Sequence, residues 1–344
     1  MLAKGRNRLL RRPPRWGRGK AETKARMMDM DLDGRLICIF GGGGFVGRYI
    51  SQALLERGAR LRIAERNISN AMHIKPLGNL GQTQFVSADV TKKDSVARAV
   101  RDCDAVINLV GVLKGDFERV HVEGAGNVAE VAAAAGCRAL LHLSAIGADS
   151  DSPSRYGRSK GDGEKAVLQA FPDAIILRPS IIFGREDQFI NRFAAMIAML
   201  PVVPIIGSST RFQPVFVGDV ADVAAAALSH PELYAGQTYE LGGPEILSMG
   251  DINRRIAKLT GHDRTFVDVP DFAAKAMATF LGPFPGAPIT ADQYKMLQND
   301  NVVASGAKGM DAFGVAPTPL AAVASGWMEK YTAHGRFGAR AKEK

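Results

Sequence analysis

A cluster of four glycines interrupts the chain where a short apolar run ends: Leu36-Ile37-Cys38-Ile39-Phe40-Gly41-Gly42-Gly43-Gly44-Phe45-Val46-Gly47. A helical pattern follows it. This is how a first β-strand hands over to a dinucleotide-binding turn. Gly41, Gly44 and Gly47 are spaced three apart. The first lets the chain turn off the strand, the second lets the backbone approach a pyrophosphate, and the third lets the helix pack close to the sheet. The helix N-terminus, formed by Phe45, Val46 and Gly47, then offers N–H groups and a partial positive charge to the phosphates.

Downstream, apolar runs alternate with helical patterns. Strands are expected near 61–64, 84–86, 105–110, 140–143 and 174–177, with helices near 45–57, 96–100 and 118–135. Such alternation implies an α/β fold, a Rossmann-type doubly wound parallel sheet with right-handed crossovers. Its strands are covered on both faces, so they read as continuous apolar runs. Beyond Arg178-Pro179 the rhythm changes and prolines become frequent. The organisation expected is a basic segment at 1–34, a nucleotide-binding domain at 35–179, a smaller C-terminal α/β lobe at 180–334 with returns to the sheet, and a tail at 335–344. The apolar helical stretch 272–281, followed by Gly282-Pro283-Phe284-Pro285-Gly286, is either a docking surface or an ordinary core helix with a stiff loop.

The formal net charge is +9, but ten of the 44 Lys and Arg residues and a single acid, Glu22, fall in residues 1–26. That leaves 34 basic and 34 acidic residues from 27 onward. A neutral body gives no support to nucleic-acid binding. The first segment has too little apolar surface to fold alone. It is a disordered arm, an Arg-rich targeting segment or an extension ahead of a start at Met27, Met28 or Met30. No run of 18 apolar residues exists, so no transmembrane helix is expected. The three cysteines, Cys38, Cys103 and Cys137, form no CxxC and read as reduced thiols on the cytosolic side. The six histidines have no metal-ligand spacing, so no metal is expected.

Chemistry is carried by Tyr156-Gly157-Arg158-Ser159-Lys160. Four residues apart on a helix, Tyr156 and Lys160 share one face. A nearby ammonium is expected to lower the tyrosine pKa from about 10 and make it a usable acid or base. Ser144 lies where the fifth strand ends, at the edge where open α/β sheets place their sites.

With these residues in hand, the chain resembles the short-chain dehydrogenase/reductase superfamily in its extended or atypical branch, over about residues 35–245. The resemblance implies catalytic positions for Ser144, Tyr156 and Lys160, with Lys160 also on the nicotinamide ribose. Arg178-Pro179-Ser180-Ile181-Ile182-Phe183-Gly184 looks like the segment that closes the cofactor site there, which places Arg178 at the cofactor. In Pro214-Val215-Phe216-Val217-Gly218-Asp219-Val220-Ala221, Asp219 is expected to cap the following helix. The segments around Gly41–Arg48, Ala64–Asn67, Asn108–Gly111 and Asp300–Val303 are together similar to the thirty-nine-kilodalton accessory subunit family of respiratory complex I, with this chain as a bacterial-type relative. That family holds NADPH on the peripheral arm and supports assembly. It often lacks a full catalytic set, whereas this chain keeps Ser144, Tyr156 and Lys160. Val110 and Gly111 complete the implied cofactor contacts.

Cofactor choice turns on the end of the second strand. Glu65 suits a ribose 2′-hydroxyl and favours NAD(H). Arg66, with Arg48, suits a 2′-phosphate through planar charge-assisted pairing, and the two arginines tip the expectation to NADPH. Asp89 and Val90, ending the third strand, flank the adenine. Three functions follow: a cofactor-holding accessory subunit, peripheral to the inner membrane on its cytoplasmic or matrix side and attached through protein partners; an active NADP-dependent oxidoreductase, epimerase or dehydratase using Ser144, Tyr156 and Lys160; or a regulator that senses NADPH. Fold alone does not separate them. Deleting residues 1–26 is expected to leave the thermal midpoint and cofactor binding unchanged, since that segment has almost no surface to bury. A melt lowered by several degrees would overturn this.

Overall fold

Seven strands alternate with helices along the chain: β1 (Leu36–Phe40), β2 (Arg60–Glu65), β3 (Thr83–Ser87), β4 (Ala105–Asn108), β5 (Ala139–Leu143), β6 (Ile175–Pro179) and β7 (Thr238–Leu241). They form one sheet in the order β7-β6-β5-β4-β1-β2-β3, with every neighbouring pair parallel. The order reverses between β1 and β4, and that switch point opens a crevice at the carboxyl ends of the strands. This computed structural model describes residues 32–282, 284, 287 and 289–332. The expected tail at 335–344 and all but the last three residues of the expected basic segment lie outside the described residues.

The helices are α1 (Phe45–Glu56), α2 (Lys93–Val100), α3 (Gly124–Ala134), α4 (Arg155–Ala170), α5 (Ile190–Met199), α6 (Val217–Ser229), α7 (Met249–Thr260), α8 (Asp271–Phe280), α9 (Ala291–Met296) and α10 (Leu320–Met328). β1 shows why the strands read as unbroken apolar runs. Ile37 and Ile39 face a core shared with Ile50 and Leu54 of α1 and with Val220, Val223 and Ala224 of α6. Cys38 and Phe40 face the opposite core, built with Val96, Val128, Ala132, Leu140 and Val167. Both faces are covered, so neither alternate set is polar. The three cysteines are free and buried.

Residues beyond 180 build the second lobe around Phe183, Ile190, Ile197, Val203, Ile252, Ile256, Leu320 and Met328. They also return twice to the main domain. β7 pairs with β6, and α6 lies in the same core as α1. Leu32 is buried in that core as well, so the packed body begins ahead of residue 35.

Two elements are shorter than their sequence pattern. The fourth strand was expected to run to Val110 but stops at Asn108, because the Asn108 side chain accepts the Val110 N–H at 3.1 Å and turns the backbone out of the ladder. The helix expected at 118–135 is regular only from Gly124. Its first turn, Glu118–Glu123, is a wider π-helical turn. Asp219 is also not the helix cap. It lies inside the first turn of α6, and its carboxylate accepts the Thr318 N–H and hydroxyl at 2.7 and 2.8 Å, tying the C-terminal segment to that helix.

Leu54 is fully buried between the sheet and α6. Leu54→Ala is expected to cost about 2–5 kcal/mol through lost burial and the cavity left behind. Urea unfolding would show it as a lower midpoint with an unchanged slope.

Candidate functional site

The glycine turn leaves β1 at the sheet's switch point. Gly41 has φ +77°, a backbone conformation that disfavours a side chain. A Cβ at Gly47 would lie 2.4 Å from the Gly42 carbonyl oxygen, so only glycine lets α1 come this close. Gly44 differs. A Cβ there would meet only the Gly41 oxygen, at 3.2 Å, and the direction is otherwise open. α1 has neither a side-chain cap nor an acid in its first turn. An uncapped helix start facing open space beside Gly44 is the cradle a pyrophosphate fills, and these residues fit that group.

Around the cradle, Glu65 at the end of β2 accepts the Gly43 N–H at 2.8 Å and so braces the turn. Arg48 pairs with Glu186 at 3.3 Å, and the Tyr49 hydroxyl donates to the same carboxylate at 2.8 Å. Burial and then Glu186 push the Tyr49 pKa up to about 12. Arg66 is exposed beside Glu65. Burial works against the Asp89 carboxylate, but the Thr91 N–H and hydroxyl, together with Lys92 and Arg66, hold its pKa below the usual value. Val90 is buried, and its carbonyl accepts from Asn127 at 3.0 Å. Val110 and Gly111 follow the Asn108 turn, where a Cβ on Gly111 would lie 3.7 Å from the Lys160 Nζ.

Lys160 of α4 reaches the end of β5 next to Ser144, and Tyr156 lies one turn before Lys160 on the same helix. The Ser144 hydroxyl is buried with no hydrogen-bond partner among the described residues. The Lys160 Nζ donates to the Leu143 carbonyl at 2.9 Å, and burial brings its pKa down to about 8. The expected depression of the tyrosine is absent. Burial alone pushes the Tyr156 pKa up to about 12, because enclosure penalises a phenolate. Arg178, expected at the cofactor, is engaged by two carboxylates. Its Nε and Nη2 grip Glu164 of α4 at 2.9 and 2.6 Å, and its Nη1 lies 3.8 Å from Glu240 of β7. The guanidinium is a brace joining α4, β6 and β7.

The structure adds residues that motif reasoning missed. His121, in the π-helical turn, accepts the Val112 N–H at Nε2, 2.9 Å away. Its Nδ1 therefore carries the proton and donates to Ser159 at 2.8 Å, and the Ser159 hydroxyl donates on to the Tyr156 carbonyl. The wide turn fits against Gly163, where a Cβ would strike the His121 carbonyl at 2.1 Å. Tyr156 meets His121 edge-on at 5.5 Å and Phe117 at 6.1 Å. His142 lies two residues before Ser144 on the same strand face. Asn108 spends its carbonyl on Val110, so its amide donates to His142 Nδ1 at 3.2 Å. The Nε2–H of His142 is then a buried donor without a partner among the described residues. Period-two spacing back from Ser144 is a signal that could have found His142, whereas nothing local marks His121. The Asp300–Val303 segment also finds its place. Asn301 accepts from the Ser180 hydroxyl at 2.7 Å and donates to the Ile146 carbonyl at 3.2 Å, stitching the loops beyond β5 and β6.

Burial, and then the Lys160 charge, bring the His121 pKa down to about 4, and His142 is lowered by the same causes in the same order. A neutral imidazole in the folded state that protonates near 6.5 when unfolded makes stability fall as pH drops from about 6.5 towards 4. Urea midpoints at pH 7 and pH 4.5 are expected to differ less for His121→Gln than for the unaltered protein. An equal difference would show that His121 is charged when folded.

The family model for the NAD dependent epimerase/dehydratase family matches residues 37–242. NADH dehydrogenase [ubiquinone] 1 alpha subcomplex subunit 9 of Rattus norvegicus is 36% identical over 299 residues, 84% of this chain and 78% of that protein. The subunit of the same name from Arabidopsis thaliana is 32% identical over 330 residues, 91% and 82% of the two chains. The fold resembles that of an NADPH-dependent quinone oxidoreductase from Escherichia coli solved with NADPH, with a TM-score of 0.67 at 19% identity over 83% of this chain and 97% of that one. With its nicotinamide-dinucleotide fold, the chain belongs to the NAD dependent epimerase/dehydratase family, and within it to the group of the NADH dehydrogenase alpha subcomplex subunit 9 proteins.

Proposed function

We propose that this protein is an accessory subunit of the respiratory NADH:ubiquinone oxidoreductase that holds NADPH as a structural ligand. The observation that carries the reading is the extent of the likeness to the subunit 9 proteins, which runs past the nucleotide-binding domain into the second lobe. Among the described residues no helix is long and apolar enough to cross a membrane. Attachment is peripheral, on the matrix or cytoplasmic side, and runs through protein partners. Phe272 and Phe280 of α8, with Leu281 and Phe284 after it, leave apolar surface exposed on the second lobe, which suits a protein contact.

In this reading Gly41, Gly44, Phe45, Val46 and Gly47 carry the pyrophosphate. Arg48, Glu65 and Arg66 surround the adenine ribose, Asp89 and Val90 the adenine, and Val110, Gly111, Tyr156 and Lys160 the nicotinamide half. Arg66 and Arg48 set the preference for a 2′-phosphate, Arg48 by exchanging Glu186 for it. The bound nicotinamide supplies a transferable hydride. The chain's own residues orient it, with Tyr156 and Lys160 one helical turn apart beside it.

NADPH is expected to bind more tightly than NADH in a nicotinamide fluorescence titration. Arg66→Ala should narrow the gap by about 1.5–3 kcal/mol, the worth of a hydrogen bond to a charged group. Equal affinity in the unaltered protein would overturn the preference. The role is tested in a strain lacking the gene, complemented with Gly44→Val or Tyr156→Phe, by measuring membrane NADH:quinone activity and complex content. A ligand at a hundredfold excess over Kd stabilises the folded state by about 2.7 kcal/mol. Gly44→Val, which blocks the cradle, should therefore deplete the complex, and Tyr156→Phe should spare it. A normal complex in the deletion strain would end this reading.

A further inference from the structure

The four N–H groups that open α4 are all satisfied, by an unusual division of labour. The Ser154 N–H donates to Ser152 at 3.3 Å, and the Gly157 N–H donates to the Ser154 hydroxyl at 3.2 Å. The other two reach across the molecule to Asp292. Its Oδ1 accepts the Arg155 N–H at 2.7 Å, and its Oδ2 accepts the Tyr156 N–H at 3.1 Å and the Ser154 hydroxyl at 3.0 Å. Asp292 lies in the first turn of α9, whose start is fixed by a reciprocal cap between Thr290 and Gln293. From the same helix Lys295 donates to the Pro153 carbonyl at 3.3 Å. The Tyr294 hydroxyl donates to Asp271 of α8 at 2.8 Å. A carboxylate at a helix N-terminus answers both the free N–H groups and the positive end of the dipole. Here one peptide group it grips is that of Tyr156.

We infer that Asp292 is a positioning residue, a latch by which α9 of the second lobe fixes the start of α4 and so sets Tyr156 and Lys160 against the nicotinamide half of the cofactor. The latch rests on the reading of the site as a dinucleotide site. It acts through α4 and touches no ligand. Because α8 and α9 share the Tyr294–Asp271 bond, any load on the exposed face of α8 is delivered to the backbone of Tyr156. The adenine half is held by β1, α1 and β2, which Asp292 does not reach.

The test uses the full chain and two probes: NADPH, and 2′,5′-ADP, which lacks the nicotinamide half. Calorimetric titration of Asp292→Ala is expected to weaken NADPH about tenfold, within the range that loss of a helix cap produces. 2′,5′-ADP should stay within about twofold. Bound NADPH should also show a red-shifted emission from a looser nicotinamide. Asp292→Asn keeps one acceptor oxygen and is expected to lie between; it decides the matter where Asp292→Ala does not fold. Unchanged NADPH affinity and emission, or equal weakening of both probes, would overturn the latch. An unaltered protein that binds neither probe would instead end the dinucleotide reading, a result visible before any variant is made.

Discussion

The approach of α1 to the sheet at Gly47 governs how the rest of the site is arranged. With no Cβ to hold it off, the first turn of the helix rests on the Gly42 peptide, and a methyl group there would lie 2.4 Å from that carbonyl oxygen. This contact fixes the direction of the helix, leaves its uncapped end open at the switch point, and brings the Gly43 N–H to Glu65. A side chain at Gly47 would push the helix off the sheet and disturb the core formed by Ile50, Leu54 and α6 along with the cradle. Binding geometry and core packing therefore share one contact.

On the opposite face, burial dictates the chemistry. Lys160, His121, His142 and Ser144 are all almost fully enclosed between the sheet, α3 and α4. One cation is tolerated because a carbonyl accepts from it. Both imidazoles stay neutral, with their tautomers set by Val112 and Asn108. Two polar atoms here, Ser144 Oγ and His142 Nε2, are left without partners among the described residues. Buried polar groups are seldom orphaned, and these two lie on the same face as Lys160.

The sequence made the sheet and the glycine turn legible because both rest on local rules: apolar runs covered on two faces, and glycine where the backbone must approach itself. The Tyr156–Lys160 pair was legible by helical spacing. Its electrostatics were not, since spacing places the ammonium but says nothing of the enclosure that raises the tyrosine pKa. Asp219 was misread as a cap, and the ion pairs of Arg178 stayed hidden, for a related reason. Each sits in a recognisable segment, yet their partners, Glu164, Glu240 and Thr318, lie 14 to 99 positions away or on a neighbouring strand. The wide turn at His121 was hidden because its cause, the bare backbone of Gly163, is on another helix.

The grip of Asp292 on Tyr156 spans 136 residues, and this separation bears on the order in which the molecule is made. A ribosome adding 5–20 residues per second needs on the order of ten seconds to supply the acceptor for the start of α4. Asn301, which closes the loops beyond β5 and β6, emerges later still. All seven strands of the sheet have by then been synthesised, ahead of the residues that tie the ends of β5 and β6 together. The residues that finish the cleft are thus supplied after those that build the sheet, so the cleft cannot be completed before the second lobe has been synthesised.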